Sequence, residues 1–453
     1  MKVDIKETTI VRPSQSTSDH RLWLSALDLL YTRRGYVPLL FFYKNNGSSN
    51  FFDAKVLKEA LGKVLVPYYP VAGRLVADEK GRIEISCNGE GALFIEAVTD
   101  SALADLGDFL PGQELQQLIP APAITYSSDA NISSYPLLLV QVTTFSCGGV
   151  SMGFGWHHNL ADGTGFLRFI EEWSNIARGH SISNSNLPLI NRTALRAQLP
   201  PTPIFDHVEY RQSPTMITRG QNPESKSGPK ANRTAIFKVT LEQINVLKAL
   251  TKSNQNKYSS FEVVCAHIWR TACKARGLSD AQVTRVSIVV NGRPRLQPPL
   301  PSSFFGNVTF MSTPIALSGD ILSEPFAHNA ERIHNAIKRM DDKYLSSAID
   351  YVENLDDLAL NSTMIGPGKC QCPNLSIPSW MRLPFHEVDF GWGRPICSRP
   401  ANVYEGKGYV LSSPTNDGSL LLVICLEAKH MVSFEKLFHA SIYEEHMKPG
   451  PKL

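Results

Sequence analysis

Apolar positions recur along the chain in two periods, and the change from one to the other marks the elements. Val56, Leu57, Ala60, Leu61 and Val64 fall at helical spacing behind Asp53, whose carboxylate can cap the first turn. Leu137 to Thr144 and Val150 to Phe154 are short, almost continuous apolar runs and read as buried strands. Phe166, Ile170 and Trp173 put one apolar stripe on a following helix that stops at Gly179. From Ser181 to Arg233 the pattern is lost. That stretch is rich in Pro, Ser, Asn and Gly, and Pro200, Pro201 and Pro203 oppose any regular element, so it predicts a crossover whose portion from Gln221 to Ala231 is mobile. A strand resumes at Ile236 to Val239. Thr240 with Gln243, and Ser259 with Glu262, form two capping boxes ahead of helices through Ile244, Leu247 and Leu250, and through Val264, Ile268 and Ala272. A further helix is expected from Pro325 to Met340. The expected organisation is mixed α/β, with a first domain over 1–190, a crossover over 191–233 and a second domain over 234–453.

Composition narrows the class. At roughly 150 residues per domain, 453 residues suggest two to three domains and can bury a sizeable core. The charge of 45 − 42 = +3 is spread along both halves with no basic block, which argues against a nucleic-acid partner. The longest apolar runs fall far short of the roughly 18 residues of a membrane span. No apolar segment follows Met1 to Asp4, so no secretory signal is read and a cytoplasmic location is expected. Eight scattered cysteines, never in CxxC spacing, fit buried reduced thiols in such a compartment; Cys370 and Cys372 alone are close. The final Pro-Lys-Leu differs from a peroxisomal tail at its first position.

The sharpest chemistry lies between a predicted strand and a predicted helix, in Gly155-Trp-His-His158-Asn-Leu-Ala-Asp162-Gly-Thr-Gly165. A histidine at such a junction can turn its ring into a cleft, and its ordinary pKa suits a base near neutral pH. HxxxD is short and common, so a pair of packed histidines at a strand end fits equally well. A metal centre would need a third ligand, and HExxH is absent. Three further clusters stand out: Asp389-Phe-Gly391-Trp392-Gly393, Tyr69-Pro-Val-Ala-Gly-Arg74 and Asn291-Gly-Arg293-Pro-Arg295. Each alone could be a packed turn.

Together, in this order and separation, His158-Asn-Leu-Ala-Asp162-Gly163 and Asp389-Phe-Gly-Trp-Gly393 resemble the BAHD family of plant acyl-CoA-dependent acyltransferases. The resemblance runs end to end, through Leu22-Trp23, Asn50-Phe-Phe-Asp53, Phe305-Gly-Asn307 and Ser413-Pro-Thr415-Asn-Asp-Gly418. The subgroup it most resembles is the hydroxycinnamoyl-CoA shikimate/quinate transferases. It implies an α/β fold of two similar mixed-sheet domains, chloramphenicol acetyltransferase-like, joined by a long crossover with an active-site channel at their interface. It implies a monomer with no resident cofactor, taking acyl-CoA as co-substrate and a small-molecule alcohol or amine as acceptor, in plant specialised metabolism of the phenylpropanoid kind. His158 would act as general base in a ternary complex. Asp162 would turn away from substrate to pair with Arg293, in a structural role shared by Asp389, Gly391 and Gly393. Trp380 matches a position whose indole N–H reaches the oxyanion. CoA contacts would fall around Lys252, Ser259, Thr415 and Trp392.

Three departures from the subgroup bear on substrate. Val37, Leu39 and Phe41 stand where hydroxyl-bearing residues face a hydroxycinnamoyl ring, favouring an acyl group without ring hydroxyls such as cinnamoyl or benzoyl. The exclusion is weak, since an apolar pocket rejects an added hydroxyl by only about 10², and hydroxycinnamoyl donors stay within range. Ile365 replaces the arginine that holds the acceptor carboxylate, a loss of about 1.5–3 kcal/mol, with Lys369 as a substitute from a shifted loop. Pro378 replaces an acceptor-binding side chain. Together these argue against shikimate or quinate and for a less acidic alcohol or an amine. Two other readings remain: an authentic shikimate/quinate-type transferase, and a non-catalytic acyl-CoA-binding relative. The double histidine also fits the condensation domains of peptide synthetases, but these lack the Asp-Phe-Gly-Trp-Gly segment.

Overall fold

In a computed structural model of the chain, the described residues are 1–127, 131–183, 186–217, 231–251, 257–355, 370–415 and 417–447. The predicted mobile tether at 221–231 lies outside them except for Ala231, and Lys252, Ile365 and Lys369 lie outside them altogether.

The first half is organised by a six-stranded mixed sheet in the order Val3–Val11, Ala92–Thr99, Leu138–Thr144, Val150–His157, Tyr36–Tyr43 and Cys397–Pro400. Its one parallel pair joins Ala92–Thr99 to Leu138–Thr144; the other neighbours run antiparallel. Every residue of Val150–His157 is buried, which explains why the sequence there is continuous and apolar instead of alternating. The strand can be covered this closely because Gly153 lacks a side chain: a Cβ there would stand 1.8 Å from the Leu118 carbonyl oxygen. Helices Ala54–Val64 and Gly163–Ala177 lie together over the sheet, and the apolar stripe of the second enters the same core as Leu57, Leu61 and Val64. Asp53 caps the first helix through the amides of Lys55 and Val56, as its position suggests.

The second half holds Val283–Asn291, flanked by Thr309–Ser312, Ile315–Leu317 and the parallel Leu375–Ser376, beside a sheet of Gly408–Ser412, Leu420–Glu427 and Asn232–Val239. Helices Ser260–Arg276, Phe326–Lys338 and Ala428–Met447 surround its core. Both capping boxes form, with the side chains of Thr240 and Ser259 accepting from the third amide of their helices. The fold is therefore α/β with two mixed-sheet halves.

Order along the chain and membership of a core diverge at one place. Phe385, Val388, Phe390 and Trp392 pack into the core of the first half, and Cys397–Pro400 extends its sheet beside Tyr36–Tyr43. Late sequence thus crosses back over the interface. Of the eight cysteines, six are buried and none is bonded to another; Cys147 is exposed and Cys372 half-buried, departing there from the expected buried thiols.

Candidate active site

Where Val150–His157 ends, the chain turns toward the second half and His158 follows. Its backbone amide donates to the Gly35 carbonyl at 2.8 Å, and its ring stacks on Tyr31 with centroids 3.6 Å apart. His158 is 9% exposed, and that exposure opens onto a cavity of about 990 Å³ lined by both halves. His157 is fully buried on the other side, edge-on to Tyr36 and Tyr126, and burial pushes its imidazole down to about 3. Of the two histidines, only His158 faces open space.

Asn307 sets the state of the His158 ring. Its Nδ2 donates to the Asp28 carboxylate and to the His158 carbonyl, both at 2.8 Å, which uses both amide protons. Its Oδ1 therefore faces His158 Nδ1 at 3.1 Å and can only accept. The proton sits on Nδ1, and the lone pair is on Nε2, on the cavity side. Burial holds the imidazole well below the usual histidine range, and the nearby Arg34 guanidinium acts in the same direction.

Two buried ion pairs hold this loop. Asp162 caps Gly163–Ala177 by accepting from the Gly165 amide, and takes two guanidinium bonds from Arg293 at 2.7 and 3.0 Å. Arg293 also donates to the carbonyls of Phe304 and Gly306, and Asp162 accepts from the Val308 amide. Asp28 pairs with Arg192 at 3.0 Å, while Arg192 donates to the carbonyls of Asn159 and Leu160. Asp162 is thus committed to structure, with its acceptor sites filled by Arg293 and backbone amides.

The other expected site residues divide by location. Val37, Pro378, Trp380 and Ser259 line the cavity with His158 and Asp162. Trp380 packs its ring on Phe385 and Tyr409. Leu39 and Phe41 do not reach the cavity. Tyr36–Tyr43 runs away from it into the sheet, and these two are sealed in the core, Phe41 against Phe154 and Phe385. Trp392 packs among Phe51, Phe52 and Phe390, and its indole N–H donates to Asn50, so it too stands off the cavity wall. Thr415 is in an exposed loop, bonded to Ser413. Asp389 accepts from the amides of Gly391 and Gly393, whose φ angles of +105° and +104° require glycine, making that motif a self-bonded turn. Among the described residues no cluster of three potential metal ligands occurs. Tyr31, Asp28, Arg192, Arg34 and Lys407 had no local signal, because each meets the site from a distant part of the chain.

The description "Transferase family" matches this chain over residues 1–441. A shikimate O-hydroxycinnamoyltransferase of Nicotiana tabacum is 50% identical over 443 residues, covering 97% of this chain and 100% of the relative. A hydroxycinnamoyl-CoA:5-hydroxyanthranilate N-hydroxycinnamoyltransferase of Avena sativa is 44% identical over 453 residues, covering 96% and 99%. Among solved structures, F. graminearum TRI101 complexed with coenzyme A and T-2 mycotoxin superposes with a TM-score of 0.73 at 16% identity, covering 92% of this chain and 97% of that one.

Removing one partner of a buried pair strands the other charge. Asp162→Ala should lower unfolding free energy by about 3–5 kcal/mol in urea titrations, and adding Arg293→Met should recover part of the loss. Equal stability of the single variant and the parent would contradict the geometry.

Proposed function

We propose a chemistry for this chain from the premise that it belongs to the BAHD family of acyl-CoA-dependent acyltransferases, the family matched over residues 1–441. It is an enzyme of acyl transfer. In our reading the donor is an aromatic acyl-CoA of the cinnamoyl, benzoyl or hydroxycinnamoyl kind, and the acceptor is an alcohol or amine bound in the same cavity. One observation carries it: a single imidazole nitrogen, His158 Nε2, faces open space while Nδ1 is pinned by Asn307.

The steps follow from that geometry. The acceptor O–H or N–H gives its proton to Nε2 as its heteroatom attacks the thioester carbonyl. The carbonyl electrons move onto oxygen, and the Trp380 indole N–H, a donor only, is the group on the wall suited to that charge. Collapse breaks the carbon–sulfur bond, and His158 returns its proton to the departing thiolate. Donor and acceptor are both bound throughout, so nothing is stored on the enzyme. Ser259, on the wall at the start of Ser260–Arg276, belongs to the CoA side. Val37, with Trp156 and Phe385, supplies the apolar surface for the acyl ring. This narrows the donor-selecting strand to its first apolar position. The soluble enzyme is read as a cytoplasmic monomer.

His158→Ala should abolish turnover in a panel of acyl-CoAs crossed with alcohols and amines, read by product mass, while circular dichroism stays unchanged. Persistent turnover in a folded variant would end this mechanism. Asn307→Ala frees Nδ1 to lose the proton that Oδ1 now holds there. Its kcat should fall by up to the roughly 10²–10⁴ that a positioned base supplies, with KM much less changed. The pH profile tests the electrostatics separately. A folded pKa depressed below 6.5 leaves the base form dominant as pH falls from 8 to 6.5, so kcat should stay level there and decline only in more acidic buffer. An acid limb centred at 6.5 or higher would refute the depression.

A further inference from the structure

One wall of the cavity carries two cations that lack carboxylate partners among the described residues. Lys407 is buried, its Nζ donating to Ser376 Oγ at 3.0 Å and lying 5.2 Å from the centroid of the Tyr409 ring. Tyr409 in turn packs on Trp380 at 4.4 Å. Arg34 reaches the same wall from the Thr32–Arg34 turn and lies near the Tyr404 and Tyr409 hydroxyls. It is close enough to disfavour a proton on both Lys407 and His158. Burial pushes the Lys407 ammonium down to about 7. Three buried guanidiniums near the site do have carboxylate partners: Arg192 has Asp28, Arg276 has Glu405 and Arg293 has Asp162. A desolvated guanidinium beside an amine that holds its proton weakly is an electrostatically incomplete wall, and an arriving anion would offset the first charge and favour the proton on the second.

We propose that Arg34 and Lys407 bind a carboxylate of the acceptor, so that the alcohol or amine this enzyme acylates is an organic acid. The inference rests on the acyl-transfer reading of the same cavity and names its acceptor class. It reverses the expectation drawn from Ile365: the charge missing at that position is supplied from two other segments, and the acceptor is not a less acidic one. Placement argues for the acceptor over the other anion in the reaction. Arg34 lines the cavity next to Gly35, whose carbonyl accepts from the His158 amide, and three residues from Tyr31, which stacks on the His158 ring, whereas the phosphates of CoA are held away from its sulfur by the whole pantetheine arm. An anion between the two cations raises the basicity of Lys407, so binding completes the charge that it needs. The same geometry makes these positioning residues. They fix where the nucleophile sits relative to Nε2 and take no part in proton transfer.

The test uses the full chain saturated with CoA and pairs of probes differing only in charge: anthranilate against methyl anthranilate, and shikimate against methyl shikimate. Calorimetric titration should show at least one acid bound about 10- to 100-fold tighter than its ester, the value of a charged hydrogen bond. Arg34→Met and Lys407→Met should each collapse that ratio, and Lys407→Arg should retain most of it. Melting curves establish that each variant is folded. With turnover as the readout, the loss should appear in KM for the acid more than in kcat. Free CoA should bind all variants as it binds the parent. Esters bound as well as acids in the parent, or acid preference surviving in both folded Met variants, would overturn the proposal. Weakened CoA binding with the acid preference intact would assign the pair to a phosphate and overturn it too. Acyl transfer itself is judged apart, by His158-dependent product formation on neutral acceptors.

Discussion

Two buried carboxylates, Asp28 and Asp162, hold the loop that carries His158, and each is matched by an arginine from another part of the chain. Arg192 comes from the crossover and Arg293 from the second half. Little of the 158–162 loop is left free: the Asn159 and Leu160 carbonyls accept from Arg192, and the Asn159 side-chain amide donates to the Asp28 backbone carbonyl and the Thr32 hydroxyl. Charges this deep are tolerable only when every partner is present. Closing the interface and positioning the His158 loop are therefore a single event. A half-assembled interface would strand a carboxylate or a guanidinium in the interior.

The imidazole depends on the same network for its chemical state. Asp28 takes one proton of the Asn307 amide and the His158 carbonyl takes the other, which leaves only an acceptor oxygen to face Nδ1. An amide thus does at this site what a carboxylate does in hydrolase triads, with one difference. A neutral oxygen orients the ring without adding negative charge beside it, so the imidazole stays weakly basic and unprotonated. Tyr31, stacked flat on the ring, restricts its rotation.

Much of this was legible in the sequence wherever the signal was local. The capping boxes at Thr240 and Ser259, the cap at Asp53 and the buried strand before His158 all depend on residues within a few positions of one another. Asp162 and Arg293, 131 positions apart, could be joined only through the family resemblance. Tyr31 and Asp28 left no trace as site residues, and Asn307 stood out only within the Phe305-Gly-Asn307 segment with no role attached, because their contacts span more than a hundred positions and no short pattern encodes that. Leu39 and Phe41 misled for another reason. Alternation puts them on the same face as Val37, but a strand leaving the cavity keeps only its first residue at the wall. The Asp-Phe-Gly-Trp-Gly segment, expected to be structural apart from a CoA contact at Trp392, is a turn that anchors late sequence in the early core.

An imidazole pushed below its ordinary range is always ready to accept a proton, yet it pulls weakly on one, and the depression at His158 has two sources with different consequences. Burial of the ring is permanent. The repulsion from Arg34 is conditional, since it depends on that guanidinium being uncompensated. A carboxylate seated between Arg34 and Lys407 would cancel much of the repulsion while leaving the imidazole desolvated. The ring would then become more basic when an acidic acceptor is bound than when the cavity holds only donor. Water entering beside the thioester would meet the weaker form of the base, and the proper nucleophile the stronger one. Under the proposed reaction, the charge that would select the acceptor would by this electrostatic route also suppress hydrolysis of acyl-CoA, without a moving part.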